Sequence, residues 1–125
     1  MTLVDEWVEK AEADYQAAIA LNRRRKEPLP DIVCYHCQQC AEKDLKAYLI
    51  VQGTTPPRSH DLVELLNLGT LHDATFIKFL PWVESLNPYG VLIRYPGMSA
   101  TVAKSKNAVK TMRRLRTVLR RKLGL

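Results

Sequence analysis

Apolar residues in this chain recur mostly at three- and four-residue intervals, which predicts helices. Val4, Trp7, Val8, Ala11, Tyr15 and Ala18 predict a first helix over 4–21. Its opening turns carry Asp5, Glu6, Glu9 and Glu12, as the helix dipole favours. A connector with Pro28 and Pro30 follows, and Asp31 caps or opens a second helix over 31–52, with Gly53 placed as a C′ glycine. At about 100° per residue, Cys34, Cys37, Ala41, Leu45 and Tyr48 share one side of it. Gln39, Glu42, Lys43 and Lys46 share the other. The first side is made largely of small residues, which lets neighbours approach closely, so this is the expected central helix. Glu42 and Lys46 form an i,i+4 pair in the favourable order, worth about 0.2–0.5 kcal/mol.

The remainder of the pattern is shorter. Ser59 is the expected N-cap of a helix over 60–67 with Leu62, Leu65 and Leu66 inward. A helix over 73–86 carries Phe76, Phe79, Leu80, Val83 and Leu86, and Pro81 must kink or split it. Residues 87–90 read as a turn, 91–93 as a short apolar run and 94–97 as a loop before proline and glycine. The last helix, over 99–123, has Val102, Val109, Met112, Leu115, Leu119 and Leu123 as its apolar stripe. The expectation is an all-α, antiparallel up-and-down bundle of four to five helices, one domain over 1–125.

Charge changes the picture. Up to Glu84 there are nine Lys and Arg against thirteen Asp and Glu; from Ser85 onward there are ten Lys and Arg and no acid. Nine of those ten lie on the last helix. A basic segment of this kind points to a polyanionic partner or an acidic protein. Arg23, Arg24, Arg25 and Lys26 form either a solvated helix end or a second basic patch joining the first. No apolar run is long enough to span a bilayer. The acidic N-terminus has no signal-peptide core, so a cytoplasmic protein is expected.

Three cysteines within seven residues, Cys34, Cys37 and Cys40, suggest a metal site. Helical geometry argues against it, because Cys34 and Cys37 face the core, Cys40 a flank and His36 away. They read as small core residues, and neither metal nor other cofactor is expected.

Four blocks stand in order: Ala11-x-x-Asp14-x-x-Ala17, Gln39-Cys40-Ala41-Glu42-Lys43-x-x-Lys46-Ala47, Ser59-His60-Asp61-Leu62 and Arg94-Tyr95-Pro96. Together they resemble the HEPN domain family of bacteria and archaea over nearly the whole chain. The resemblance implies a helical bundle, usually a homodimer, that contacts nucleotide or RNA. It also implies a frequent partnership with a minimal nucleotidyltransferase in a toxin–antitoxin-like pair. Many HEPN toxins are ribonucleases with an Arg-(x)4–6-His motif. Here the histidines are His36, His60 and His72, and none has an arginine at that spacing before it. The motif is absent, which favours a non-catalytic binding module. The rivals are a divergent ribonuclease using Arg94, and a structural subunit with a basic docking helix.

The candidate ligand contacts follow from side-chain chemistry. Arg94 forks onto phosphate and Tyr95 stacks on a base. Gln39, Glu42, Lys43 and Lys46 form either a solvated face or a groove in which Lys43 and Lys46 turn toward phosphate and Gln39 contacts a base or ribose. Arg113, Arg116 and Arg120 represent the basic face of the last helix. His60 reads as a loop-fixing hydrogen-bond donor, since no carboxylate partner is visible in the sequence.

Overall fold

Thr2 starts the first helix through a reciprocal capping box. Its hydroxyl accepts from the Asp5 N–H at 3.1 Å, and the Asp5 carboxylate accepts from the Thr2 N–H at 3.0 Å. The protein is described by a computed structural model covering residues 1–91 and 95–125, in which this helix, α1, runs Leu3–Asn22. The connector 23–29 turns through Glu27, a non-glycine residue at φ 49°. Pro30 then opens α2, Pro30–Val51, at a position where its missing N–H leaves nothing unsatisfied. Asp31 lies in its first turn rather than capping it. Its carboxylate accepts from the Ala100 N–H at 2.6 Å, which ties the entry of the last helix to the start of α2. Gly53, at φ 81°, ends α2: its N–H reaches the Ile50 carbonyl and that of Thr54 reaches Leu49, each at 2.9 Å.

The third helix, α3, is Leu62–Thr70, and its N-cap is Asp61 rather than Ser59. The Asp61 carboxylate accepts from the Val63 and Glu64 N–H groups. Ser59 instead braces the loop, accepting from the Asp61 N–H and donating to Glu64. Pro81 splits the fourth segment as expected: a 3-10 stretch Ala74–Phe79 precedes α4, Leu80–Leu86, and a 3-10 turn Asn87–Gly90 follows. The last helix, α5, is Val102–Lys122, beginning later than expected because Thr101 caps it by accepting from the Lys104 N–H. Val102, expected in the apolar stripe, is exposed. The described residues are all-α, with no strand among them. The apolar run 91–93 is described only at Val91; Leu92, Ile93 and Arg94 lie outside the described residues.

The helix α2 packs against α1, α3, α5 and the turn Asn87–Gly90. From Cys37 to Leu49 every residue except Lys43 is buried. The core around it contains Leu45, Leu49, Leu62, Leu66, Phe76, Leu86, Met112, Leu115 and Leu119. The expected polar face of α2 is therefore covered. Glu42 and Lys46 do pair, at 3.3 Å, but inside the protein, so the surface energy of such a pair does not apply.

All three cysteines are free and buried, Cys40 included, which corrects its expected place on a flank. His36 does not face away either; its ring is partly buried against Asp14. Burial pushes the Cys34 thiol up to about 11 and raises those of Cys37 and Cys40 as well. Thiol labelling of the folded protein near pH 8, roughly the free-thiol range, should be slow at all three positions. It should become complete on adding denaturant. Fast labelling of the native protein, read by mass spectrometry, would contradict this packing.

Candidate functional site

A buried carboxylate organises the polar centre. Glu42, whose side chain is 3% exposed, accepts from Lys46 Nζ at 3.3 Å, and its Oε1 lies 2.9 Å from His60 Nδ1. A charge this deep is held only by pairing and hydrogen bonding. Gln39 Nε2 lies 3.5 Å from the same oxygen and donates to Gln38 Oε1 at 2.8 Å. Gln38 Nε2 in turn donates to the His60 carbonyl at 2.9 Å. Glu42 thus holds the ring, and Gln38 the backbone, of a histidine placed by the loop before α3, with Gln39 linking the two. Lys46 also sits 5.4 Å from the centre of the Trp7 ring, so α1 closes this cluster.

Outside the network lies a cleft of about 380 Å³ lined by Tyr35, Gln39, His60, Gly90, Val91 and Tyr95. The His60 side chain is 63% exposed there, anchored through Nδ1, with no partner for Nε2 among the described residues. The Tyr95 side chain belongs to a residue 59% exposed. Gly90 belongs to the same wall by necessity, because a Cβ on it would come within 2.6 Å of the Gln38 amide. Gly90→Ala should therefore displace Gln38, cost about 1–3 kcal/mol as overpacking and loosen His60. Urea denaturation reads the first effect, and hydrogen exchange at 59–61 reads the second.

Two further charge clusters are internal. Asp14, on α1, takes His36 Nδ1 at 2.8 Å and also Lys43 Nζ. Glu12 takes Arg116 through two hydrogen bonds, at 2.7 and 2.8 Å, and Arg120 at 3.2 Å. The Arg116 hydrogen bonds, with the nearby guanidinium charges, lower the Glu12 carboxyl, and the same hydrogen bonds, with the Glu12 charge, raise the Arg116 guanidinium. The Arg116 guanidinium also lies over the Tyr15 ring, at 4.1 Å.

The expected site residues therefore separate. Gln39 and Tyr95 meet at the cleft. Lys46 is committed to Glu42, and Lys43 to Asp14. Arg116 and Arg120 are committed to Glu12, leaving Arg113 exposed on α5 with no acidic partner among the described residues. The basic helix thus has an acid opposite it on α1, which periodicity within α5 could not show. Arg94 lies outside the described residues. Sequence reasoning missed Tyr35, Gln38 and Gly90, and gave His60 no carboxylate partner. The available signal was the joint occurrence of Gln-x-x-Glu on one helix and Ser-His-Asp at the start of the next.

Comparison with known proteins agrees with this architecture. The HEPN domain model matches residues 4–122. A Methanocaldococcus jannaschii protein named "Putative toxin MJ1304" is 30% identical over 96 residues, which is 72% of this chain and 61% of that protein. The match thus spans under two thirds of that relative's length. Two solved structures share the fold. The protein TT1696 from Thermus thermophilus superposes with a TM-score of 0.76 at 20% identity, covering 98% of this chain and 99% of that one. ST0689, described as an archaeal HEPN homologue, gives 0.71 at 23% identity, covering 96% and 97%. No helix among the described residues is long and apolar enough to cross a membrane.

Proposed function

This chain belongs to the HEPN domain family, and on that premise we propose that it is a non-catalytic, single-domain module that binds a nucleotide or RNA segment in the Tyr35–Tyr95 cleft. In this reading it is a homodimer and one half of a toxin–antitoxin-like pair whose other half is a minimal nucleotidyltransferase. The observation that carries the reading is the cleft itself. Two tyrosines offer stacking surfaces, the Gln39 amide and the His60 ring offer polar contacts, and the buried Glu42 network holds both in place. The sequence places Arg94 next to Tyr95, where a guanidinium suits a phosphate. The relative named as a toxin supports the pairing. Exposed Ile32 on α2 offers apolar surface for a second copy.

One observation favours a second reading, a divergent ribonuclease. His60, anchored by a carboxylate at Nδ1, presents the other ring nitrogen to the cleft, the arrangement of an acid–base histidine. The two readings separate in one experiment: RNA gel shifts at two salt concentrations with a cleavage assay alongside. Binding without cleavage is the expected result, and Tyr95→Ala should weaken it by about 1–3 kcal/mol as a lost stack. Arg94→Ala should weaken nucleotide binding more than it changes the salt slope. Charge reversal of exposed Lys110, Arg113 and Arg114 should flatten the salt dependence. Arg116 and Arg120 are unsuitable for that test, because reversing them attacks the Glu12 pairs. Cleavage lost in His60→Ala would establish the ribonuclease. Absence of both binding and cleavage would leave a structural subunit. Light scattering at the 14.3 kDa monomer mass would exclude the homodimer.

A further inference from the structure

The corner where α1 ends and α5 begins carries a second groove, of about 660 Å³, sharing no lining residue with the cleft. Its floor includes Leu21, Leu29 and Val102, and its rim includes Arg23, Arg25 and Lys106. We propose that this groove docks an acidic amphipathic segment of a partner protein, with apolar side chains on the floor and carboxylates on the rim.

Three observations carry the proposal. The first is surplus charge. A helix C-terminus holds about half a negative charge, which one cation balances, yet four consecutive cations, Arg23 to Lys26, follow α1. Among the described residues their only acidic contact is Arg24 with Glu27, at 4.0 Å and with Glu27 almost fully exposed. Such a pair contributes little. Lys106 has no acidic partner among the described residues, and neither has neighbouring Lys104. The second is Val102, an apolar residue of the floor that is nonetheless 42% exposed, which an occupant of the groove would cover. The third is the kind of apolar surface. The lining is aliphatic, with no aromatic ring, whereas single-stranded nucleic acids take their sequence-tolerant affinity from aromatic stacking together with phosphate contacts. Aliphatic floor and cationic rim match the helix-in-groove mode of peptide recognition, with acids flanking the apolar anchors. This inference does not depend on what the cleft binds.

The test uses the full chain and a fluorescent peptide of about 18 residues, five helical turns, with leucines at i, i+3, i+4 and i+7 and glutamates elsewhere. Saturable binding by anisotropy is expected. Combined Arg23→Glu, Arg25→Glu and Lys106→Glu should weaken it at least about tenfold, as should Val102→Asp alone, because charge and apolar contact both act at such a surface. Lys78→Glu, in the 3-10 stretch Ala74–Phe79, should leave it unchanged. All these positions are exposed, and circular dichroism confirms folding of each variant. The proposal is overturned by absence of binding, by unchanged binding in the triple variant, or by a polyglutamate peptide binding as tightly. Displacement by oligouridylate at lower concentration than by unlabelled peptide would identify a nucleic-acid groove instead, and overturn it equally.

Discussion

Glu42→Ala should destabilise the protein by about 3–5 kcal/mol, the cost of breaking a buried ion pair by removing one partner. The carboxylate is the shared acceptor for Lys46 and His60. Removing it strands the Lys46 ammonium, whose side chain is 7% exposed, in a site it cannot leave without disturbing the contact with Trp7. His60, at the surface, can turn to water, so most of the loss comes from Lys46. Glu42→Gln keeps the volume and one acceptor and should cost less. The combination Glu42→Ala with Lys46→Met should recover part of the loss, because the uncompensated charge goes too. Urea denaturation of the three variants checks this. A double variant as unstable as Glu42→Ala alone would show that the buried lysine is not the source. Glu42→Ala should also weaken ligand binding at the cleft, since His60 loses its anchor.

Asp44→Asn should act in the opposite direction and raise stability at pH 8 by up to about 4 kcal/mol, from about 1.4 kcal/mol per pK unit over about three units. Asp44 is fully buried on α2, with Oδ1 lacking a partner among the described residues and Oδ2 3.9 Å from Cys40 Sγ. Burial first, and then the Glu12 charge, raise its carboxyl from 3.8 to about 7 against the pull of Arg120 and Arg116. Between those values the folded chain holds a proton at this site that the unfolded chain has released. Its contribution to stability is therefore present at low pH and is lost as pH rises through the window toward 7. Asparagine cannot ionise, so the variant escapes that loss and also relieves the repulsion on Glu12. Asp73 and Glu12 behave oppositely. The Lys122 hydrogen bond holds Asp73 at about 2, and the Arg116 hydrogen bonds lower Glu12, so their contributions fade as pH falls. The difference between Asp44→Asn and the parent isolates the Asp44 contribution. Measured by thermal unfolding from pH 5 to 8, it should widen with pH; a constant difference would overturn the assignment.

Periodicity, prolines and charge determined much of this protein without coordinates. The helical segments, the split at Pro81 and the end of α2 at Gly53 follow from local rules, because caps, breakers and a period of about 3.6 residues act within a few positions of themselves. Boundaries moved at the start of α3, where Ser59 competed with Asp61, at its end, which runs on from 67 to Thr70, and at the start of α5.

The candidate site was decided by tertiary structure. Helical spacing correctly grouped Gln39, Glu42, Lys43 and Lys46 on one side of α2, but it could not say whether that side met water. Because α1, α3 and the turn Asn87–Gly90 close over it as well, charges that a surface would have solvated must satisfy one another, Glu42 with Lys46 and His60, Asp14 with Lys43 and His36. Likewise, nothing in the acid-free run of α5 announces that Arg116 and Arg120 meet Glu12, about a hundred residues earlier. Sequence records which side chains share a face, whereas only the packed fold decides which faces are covered, and covering converts a solvated charge into a partnered one.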